Sequence, residues 1–137
     1  MNVSSTTRDF EFASLPENLN IIESFVEQLR TELGLNDDVE ANILVSLSEA
    51  VNNAIVHGNK MDPEKKVRMK MVKDEKLLTF SVEDEGSGFN PNEVMDPTAP
   101  ENIDKPTGRG IFLIRSLADS VEFQDEGRKI VITFLLN

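Results

Sequence analysis

Residues 46–59 read SLSEAVNNAIVHGN and form the end of a long stretch with helical spacing, which stops at a glycine and an asparagine. The apolar residues of the pattern share one stripe of a helical wheel, at about 100° per residue: Ile43, Leu47, Val51 and Ala54. Glu49 and Asn53 lie on the opposite side at i and i+4, so both side chains project from one stripe. The stretch predicts an amphipathic helix that packs on a sheet and presents a carboxylate and an amide. Taken alone, this polar stripe is typical of a solvated helix face.

The first half of the chain predicts a strand and two helices. Alternating apolar residues predict a short, half-buried strand over 9–13. Apolar residues at helical spacing, with a proline in the first turn, predict a helix over 16–34. Asn36 or Asp37 can cap the second helix, which is predicted to run to His57.

The second half of the chain changes to a period of two residues, which predicts strands. The predicted elements are strands over 67–71 and 78–82 joined by a turn at 73–76, a helix over 110–118, and strands over 121–123 and 130–136. Strand hairpins with helices grouped between them predict an α+β fold. We expect a two-layer α/β sandwich, with a mixed sheet and the helices on one face.

The composition limits the class of protein. The chain has 137 residues, no cysteine and a formal net charge of −11. This length predicts a single domain over 1–137, and the lack of cysteine excludes disulfides and thiolate catalysis. No signal peptide or membrane-length apolar run is visible, so we expect a cytoplasmic protein without a membrane partner. The negative charge argues against direct nucleic acid binding and suits either a basic protein partner or simple solubility.

A second motif, Asp84-Glu85-Gly86-Ser87-Gly88, follows the predicted strand over 78–82. A carboxylate at a strand end can accept a hydrogen bond from an exocyclic amine such as that of adenine. The glycines allow a ring or a backbone to approach closely. By itself the motif is more typical of a turn with an exposed acid.

A third motif, Thr107-Gly108-Arg109-Gly110, opens the predicted third helix. Free N–H groups and the dipole at a helix N-terminus form a suitable phosphate site. A glycine-rich helix entry without a ligand is an equally good interpretation of the motif alone. The motif is neither a Walker loop nor a dinucleotide-binding fingerprint, because the spacing of both differs.

Together, in this order and on these elements, the three motifs resemble those of the GHKL ATPase superfamily, which has the Bergerat ATP-binding fold. The N box is similar to SLSEAVNNAIVHGN, the first glycine box to DEGSGF at 84–89, and the second to GRGIFLI at 108–114. Within the superfamily, SEAVNNAIVHGN and GRGIFLIRSLADSVEF resemble the bacterial anti-sigma factor and serine-protein kinase family. The resemblance covers nearly the whole chain and implies a histidine-kinase-like ATPase domain.

The resemblance implies a role for each residue that matches these motifs. Glu49 would be the general base that takes a proton from the attacking hydroxyl. Asn53 would bind ATP and coordinate Mg²⁺. Asp84 would accept a hydrogen bond from the adenine amine, and Gly86 and Gly88 would shape the adenine pocket.

The same resemblance implies that Gly108 and Gly110 contact the phosphates of ATP. Thr107 would contact phosphate or cap the helix. Arg109 would place a positive charge beside the γ-phosphate or contact a partner. The segment 89–107, which is rich in proline, would be the ATP lid and would become ordered, at least in part, around the γ-phosphate.

The resemblance further implies an ATP-binding anti-sigma factor that forms a homodimer. Such a protein phosphorylates a serine on an anti-anti-sigma protein of the STAS type and sequesters a sigma factor. An ATP-loaded binding module with little or no kinase activity, and a kinase-like domain that serves another signalling partner, are the alternatives. Some family members carry an arginine in the first helix that grips the sigma factor. Here the first helix has a single arginine, Arg30, near its end, and Lys105-Pro106 stands where relatives can have an arginine.

Overall fold

The computed structural model of the protein describes residues 6–87 and 106–136. Its regular elements follow one another in this order: β1 (Thr6–Ala13), α1 (Leu19–Leu33), α2 (Asp37–Asn53), β2 (Lys66–Asp74), β3 (Leu77–Glu83), α3 (Pro106–Leu117), β4 (Ser120–Gln124) and β5 (Lys129–Leu135). Short helical turns occupy Pro16–Asn18, Ala54–Gly58 and Asp125–Gly127. Within the described residues, no helix is long and apolar enough to cross a lipid bilayer.

The strands form one five-stranded sheet in the order β1-β2-β3-β5-β4, and each of its neighbouring pairs is antiparallel. The predicted α+β two-layer sandwich is confirmed. The expectation of a mixed sheet is wrong, because no two neighbouring strands of the described sheet are parallel. The crossover from β3 through α3 does bring β4 back parallel to β3. Strand β5 then returns between these two strands and pairs antiparallel with both. The parallel strands are therefore never neighbours.

The apolar side chains of the strands lie on one face of the sheet, because side chains alternate along a strand. In β2, for example, Val67, Met69 and Met71 are buried, whereas Arg68 and Lys70 between them are exposed. The buried face packs against α1 and α2 in one apolar core. The sheet and the helices thus form the two layers.

The predicted apolar stripe of α2 is confirmed, since Ile43, Leu47 and Val51 are fully buried. Aromatic rings join α1 to the sheet, with Phe25 and Phe80 meeting edge to face at a centroid distance of 6.2 Å. Truncating a buried ring of this kind to alanine typically costs about 3–5 kcal/mol of stability. This packing fixes the orientation of α2, and therefore the direction in which its polar stripe points.

The end of the second helix differs from the prediction. Helix α2 stops at Asn53, and the chain continues as a wider π-helical turn over Ala54–Gly58. The Asn59 N–H donates to the Ala54 carbonyl at 2.8 Å, which is a bond across five residues instead of the usual four. Single π-helical turns inside or after helices are frequent at functional sites.

Helix α3 begins at Pro106, before the predicted start at Gly110. A proline is favourable at the first position of a helix, since its N–H would have no partner there. The motif Thr107–Gly110 therefore lies inside the first turns of α3 and not ahead of them. The last two residues of the predicted lid over 89–107 belong to this helix.

Candidate functional site

A cleft of about 310 Å³ opens between the end of α2, the first half of α3 and strands β3 and β5. Its apolar lining is formed by Ala50, Ala54, Val82, Ile111, Phe123 and Ile130. The polar side chains that border this lining are Asn53, His57, Lys60, Asp84, Ser87 and Arg128. Sites for small ligands commonly combine an apolar lining with a few placed polar groups. The cleft therefore suits a flat ring that carries polar groups at its edge.

At one end of the cleft, the Asp84 carboxylate packs tightly against two glycines. A Cβ atom on Gly58 would overlap the Asp84 carboxylate, and a Cβ atom on Gly86 would overlap the Gly58 carbonyl. Gly86 also donates its N–H to Asp84 Oδ1 at 2.8 Å. The structure thus brings the predicted residues Asp84 and Gly86 together and adds Gly58 to them. Both glycine positions depend on a close approach that a side chain would prevent.

Burial raises the pKa of the Asp84 carboxyl above its ordinary value, although the Gly86 N–H and the Arg128 charge act in the opposite direction. A carboxylate that has lost part of its hydration is stabilised by any further hydrogen-bond donor. An exocyclic amine on a ring in the apolar part of the cleft would be such a donor. The arrangement is therefore compatible with adenine.

Arg128 holds the chain that follows Asp84, and no pattern in the sequence indicates this role. Its Nε donates to the Gly86 carbonyl at 2.8 Å. Its own carbonyl accepts the Asp84 N–H at 2.9 Å. In the sequence, an arginine between a turn and a strand is typical of an exposed position, and its partner Gly86 is 42 residues away. The register of β3 against β5 brings the two residues together.

Asn59 is a second residue of the site that the sequence indicates only as a helix-ending position. It is fully buried, and its Oδ1 atom accepts the Glu85 N–H at 2.7 Å. Asparagine after glycine is common at the end of a helix, so the sequence motif alone gives no reason to expect a buried contact.

At the other end of the cleft, the polar stripe of α2 meets the first turns of α3. A Cβ atom on Gly110 would lie 2.9 Å from Glu49 Oε2 and 3.0 Å from Asn53 Nδ2. Glu49 and Asn53 are both half-buried, and they are not a solvated helix face. The structure therefore brings together the predicted residues Glu49, Asn53 and Gly110, with the backbone of α3 in contact with both side chains.

The other predicted residues are placed only in part. Thr107, Gly108 and Arg109 lie in the first turns of α3, and the side chains of Thr107 and Arg109 are outside the described part of the chain. Gly88 and the segment 88–105, which includes most of the predicted lid, lie outside the described residues as well. The roles of these residues toward a ligand stay predictions.

The donor atoms of the cleft can be compared with the needs of a magnesium ion. Among the described residues, no group of three or more histidine and carboxylate side chains is arranged to hold a metal. Mg²⁺ in phosphoryl-transfer enzymes commonly binds one or two protein oxygens together with substrate phosphates and water. The Asn53 amide, which borders the cleft, is compatible with that mode.

The sequence of this chain is similar to those of known proteins. Residues 12–134 match the histidine kinase-like ATPase domain. The anti-sigma F factor of Oceanobacillus iheyensis is 32% identical over 115 residues, which cover 81% of this chain and 77% of that protein. The serine-protein kinase RsbW of Bacillus licheniformis is 30% identical over 130 residues, which cover 89% and 81% of the two chains.

The fold agrees with a solved structure of the RsbU and RsbW domains of a Mycobacterium tuberculosis protein. The two superpose with a TM-score of 0.65 at 13% sequence identity, over 96% of this chain and 32% of that longer chain. The resemblance that the three motifs indicate is thus confirmed by sequence and by fold. The chain belongs to the histidine kinase-like ATPase domain family, in the group that contains anti-sigma F factors and the serine-protein kinase RsbW.

Proposed function

We propose that this protein is an ATP-dependent protein-serine kinase of the anti-sigma type. The observation that carries the proposal is the contact of Glu49 and Asn53 with Gly110, beside a cleft whose other end holds the Asp84 carboxylate. These positions lie in the three motifs that resemble those of the ATPase family, and the chain is 32% and 30% identical to relatives named anti-sigma F factor and serine-protein kinase RsbW.

In this proposal, ATP lies along the cleft with adenine at the Asp84 end. The apolar lining accommodates the ring, and the Asp84 carboxylate accepts a hydrogen bond from the adenine amine. The phosphates extend toward Asn53 and the start of α3, where the helix dipole and free N–H groups favour negative charge. Gly108 and Gly110 would contact the phosphates there, and Thr107 and Arg109 would assist them.

The transfer step requires little covalent chemistry from the protein. The hydroxyl oxygen of a partner serine attacks the γ-phosphorus of ATP, and the bond from that phosphorus to the bridging oxygen of ADP breaks. Glu49 accepts the proton of the attacking hydroxyl, so the products are a phosphoserine and ADP. Asn53 would hold Mg²⁺, which supplies charge neutralisation to the phosphates when bound.

The partners we propose are a STAS-type anti-anti-sigma protein, as the phosphate acceptor, and a sigma factor. The net charge of −11 suits a basic surface on at least one of them. The arginine of α1 does not occupy the middle of that helix. Arg30 instead bonds Asp37 and Glu40, both at 2.7 Å, and so ties the end of α1 to the start of α2. A sigma factor would therefore be gripped by other residues than an α1 arginine.

This engagement of Arg30 favours one alternative function. A protein with the ATP site but without an arginine free for sigma binding could act on another signalling partner, as an ATP-loaded module with little or no kinase activity. The two functions share the nucleotide site and differ in phosphate transfer.

The decisive experiment supplies radiolabelled ATP and Mg²⁺ to the purified protein, together with single STAS-type proteins from the same cell. We expect label on a serine of one of them, and co-elution of the ATP-loaded protein with a sigma factor. Calorimetric binding of ATP without transfer to any acceptor would instead support the binding module. Failure to bind ATP in the presence of Mg²⁺ would contradict both functions.

We also propose that the protein acts as a homodimer in the cytoplasm. Strand β1 lies at an edge of the sheet, and an eight-residue edge strand offers unpaired backbone groups to another chain. Light scattering over a micromolar concentration range should give twice the monomer mass of 15.3 kDa. A constant monomer mass over that range would contradict the dimer.

A further inference from the structure

Asn59 follows the π-helical turn and is among the few fully buried polar side chains of the described residues. Both N–H groups and the oxygen of its amide take part in three hydrogen bonds. Nδ2 donates to Ser14 Oγ at 2.7 Å and to the Lys66 carbonyl at 3.0 Å. Oδ1 accepts the Glu85 N–H at 2.7 Å. A buried amide without these partners would be costly, so the site is built for this side chain.

The three bonds connect parts of the chain that are distant in sequence. Ser14 lies between β1 and α1, and its hydroxyl donates a hydrogen bond to the Lys65 carbonyl at 2.7 Å. Lys66 begins β2, and its N–H is accepted by the Glu85 carboxylate. Glu85 directly follows Asp84. Asn59 therefore holds the chain after β3 against the turn after α2.

The hydrogen bond between Asn59 and the Glu85 N–H lies beside the close contacts of Gly58 and Gly86. Gly58, the neighbour of Asn59, faces the Asp84 carboxylate, and Gly86 faces the Gly58 carbonyl. Glu85, whose N–H bonds Asn59, lies in the sequence between Asp84 and Gly86, the residues that make these two contacts. Arg128, just before β5, holds the same segment from the other side through the Gly86 carbonyl. Without the Asn59 bond, the Glu85 main chain would lose its anchor on the α2 side, and only the Glu85 carboxylate would still bond there, to the Lys66 N–H.

We propose that Asn59 is a positioning residue for adenine recognition: its Oδ1 atom, through the Glu85 N–H, sets the place of the Asp84 carboxylate against Gly58. The inference rests on the proposed function, since it assumes that Asp84 receives the adenine amine. Asn59 would therefore determine the preference of the site for adenine over other purine bases, although Asn59 itself does not line the cleft.

The experiment compares the affinities of ATP and inosine triphosphate, which lacks the exocyclic amine, by calorimetry. The protein has no tryptophan or tyrosine, so the folded fraction is followed by far-ultraviolet circular dichroism and affinities refer to that fraction. Wild-type protein should prefer ATP. In Asn59→Ala, ATP affinity should fall roughly tenfold, the size of one hydrogen bond to a charged group. Affinity for inosine triphosphate should stay unchanged, so the preference disappears.

Two further variants separate positioning from stability. Ser14→Ala breaks the same buried network away from Glu85, so it should lower the melting temperature and keep the preference for ATP. Asn59→Asp keeps an acceptor for the Glu85 N–H and should also keep the preference, despite lower stability.

Equal loss of preference in Ser14→Ala and Asn59→Ala would overturn the inference, and so would an unchanged preference in Asn59→Ala. Either result leaves the proposed function intact. A wild-type protein that binds neither nucleotide would contradict the proposed function itself.

Discussion

The Asp84 end of the cleft is held by hydrogen bonds between residues far apart in the sequence, whereas the Glu49 end is formed by close packing of two helices. At the first end, Asn59, which follows the π-helical turn after α2, and Arg128, just before β5, bond the chain after β3. At the second end, the distances of 2.9 and 3.0 Å from a Cβ on Gly110 describe the contact with Glu49 and Asn53. The two ends should therefore respond differently to substitution: the first in nucleotide affinity, the second in turnover.

The largest effect is expected at the helix-packed end. Glu49→Gln keeps the size of the side chain and one oxygen but removes the proton acceptor. Phosphate transfer to the partner serine should fall by roughly 10²- to 10⁴-fold, as is typical of general-base loss. ATP affinity should stay within a few-fold, because a general base acts mainly in the transition state.

Single-turnover phosphorylation is the measurement for this variant. Glu27→Gln, at an exposed position of α1, is the matched control and should leave the rate unchanged. Transfer at the wild-type rate in Glu49→Gln would remove the catalytic assignment and favour the binding module.

The next largest effect is expected at the hydrogen-bonded end. In Gly58→Ala, the added Cβ overlaps the Asp84 carboxylate and must displace it. The displaced carboxylate loses its hydrogen bond to the adenine amine, and a hydrogen bond to a charged group contributes about 1.5–3 kcal/mol, so we expect ATP affinity to fall by roughly 10- to 10²-fold. Gly34→Ala is the control: its φ of 65° is strained for alanine, but a Cβ there has no neighbour within 4 Å. Calorimetry should find lower stability in that control and wild-type affinity.

Gly110→Ala should have a smaller effect, and it should lower the turnover while leaving the stability nearly unchanged. The added Cβ crowds Glu49 and Asn53, so we expect turnover to fall roughly tenfold, less than a full 1 Å displacement can cause. Stability should hardly change, because alanine is favoured over glycine in a helix by about 1 kcal/mol, which offsets the crowding. Thermal unfolding and single-turnover kinetics test this together. A large loss of stability would mean that Gly110 serves the fold instead of the site.

The smallest effect concerns pH at Asp84. Its pKa is raised above the ordinary 3.8 by burial, so the carboxyl becomes neutral at a higher pH than in the unfolded chain. An adenine amine binds the ionised form, and ATP affinity should therefore weaken by a few-fold as the pH falls through the raised pKa. Asp84→Asn should bind ATP weakly at every pH, because an amide has one acceptor oxygen and places a donor toward the amine. Calorimetry over a pH series that finds equal slopes for both proteins would exclude Asp84 as the titrating group.

The same pKa shift predicts the sign of a stability effect. Since the folded pKa lies above the unfolded one, ionised Asp84 destabilises the fold. The penalty is absent below the unfolded pKa, grows through the window between the two values and is complete above the folded pKa. Asp84→Asn should therefore unfold at a higher temperature than wild type at neutral pH, while binding ATP less well. Calorimetric melting of the nucleotide-free proteins measures this difference.

Much of the fold follows from local patterns that the sequence contains in full. The period of 3.6 residues identifies the face of α2, and Ile43, Leu47 and Val51 are buried as predicted. The period of two residues identifies the strands, and Gly34 ends α1 because of its backbone conformation. The predicted pairs of site residues also meet, because Glu49 and Asn53 share one helix stripe and Asp84 lies two residues from Gly86.

The sequence alone thus predicted the layers, the helix faces and some of the residues that border the cleft, such as Asn53 and Asp84, because each depends on neighbours within about one turn or one strand. Tertiary structure alone decided that β5 lies between β3 and β4, since strand pairing joins residues without any local pattern. It also decided that α2 ends in a π-helical turn. The burial of Asn59 and the bond of Arg128 to Gly86 have the same cause, because their partners are 26 and 42 residues away and meet only when the sheet forms.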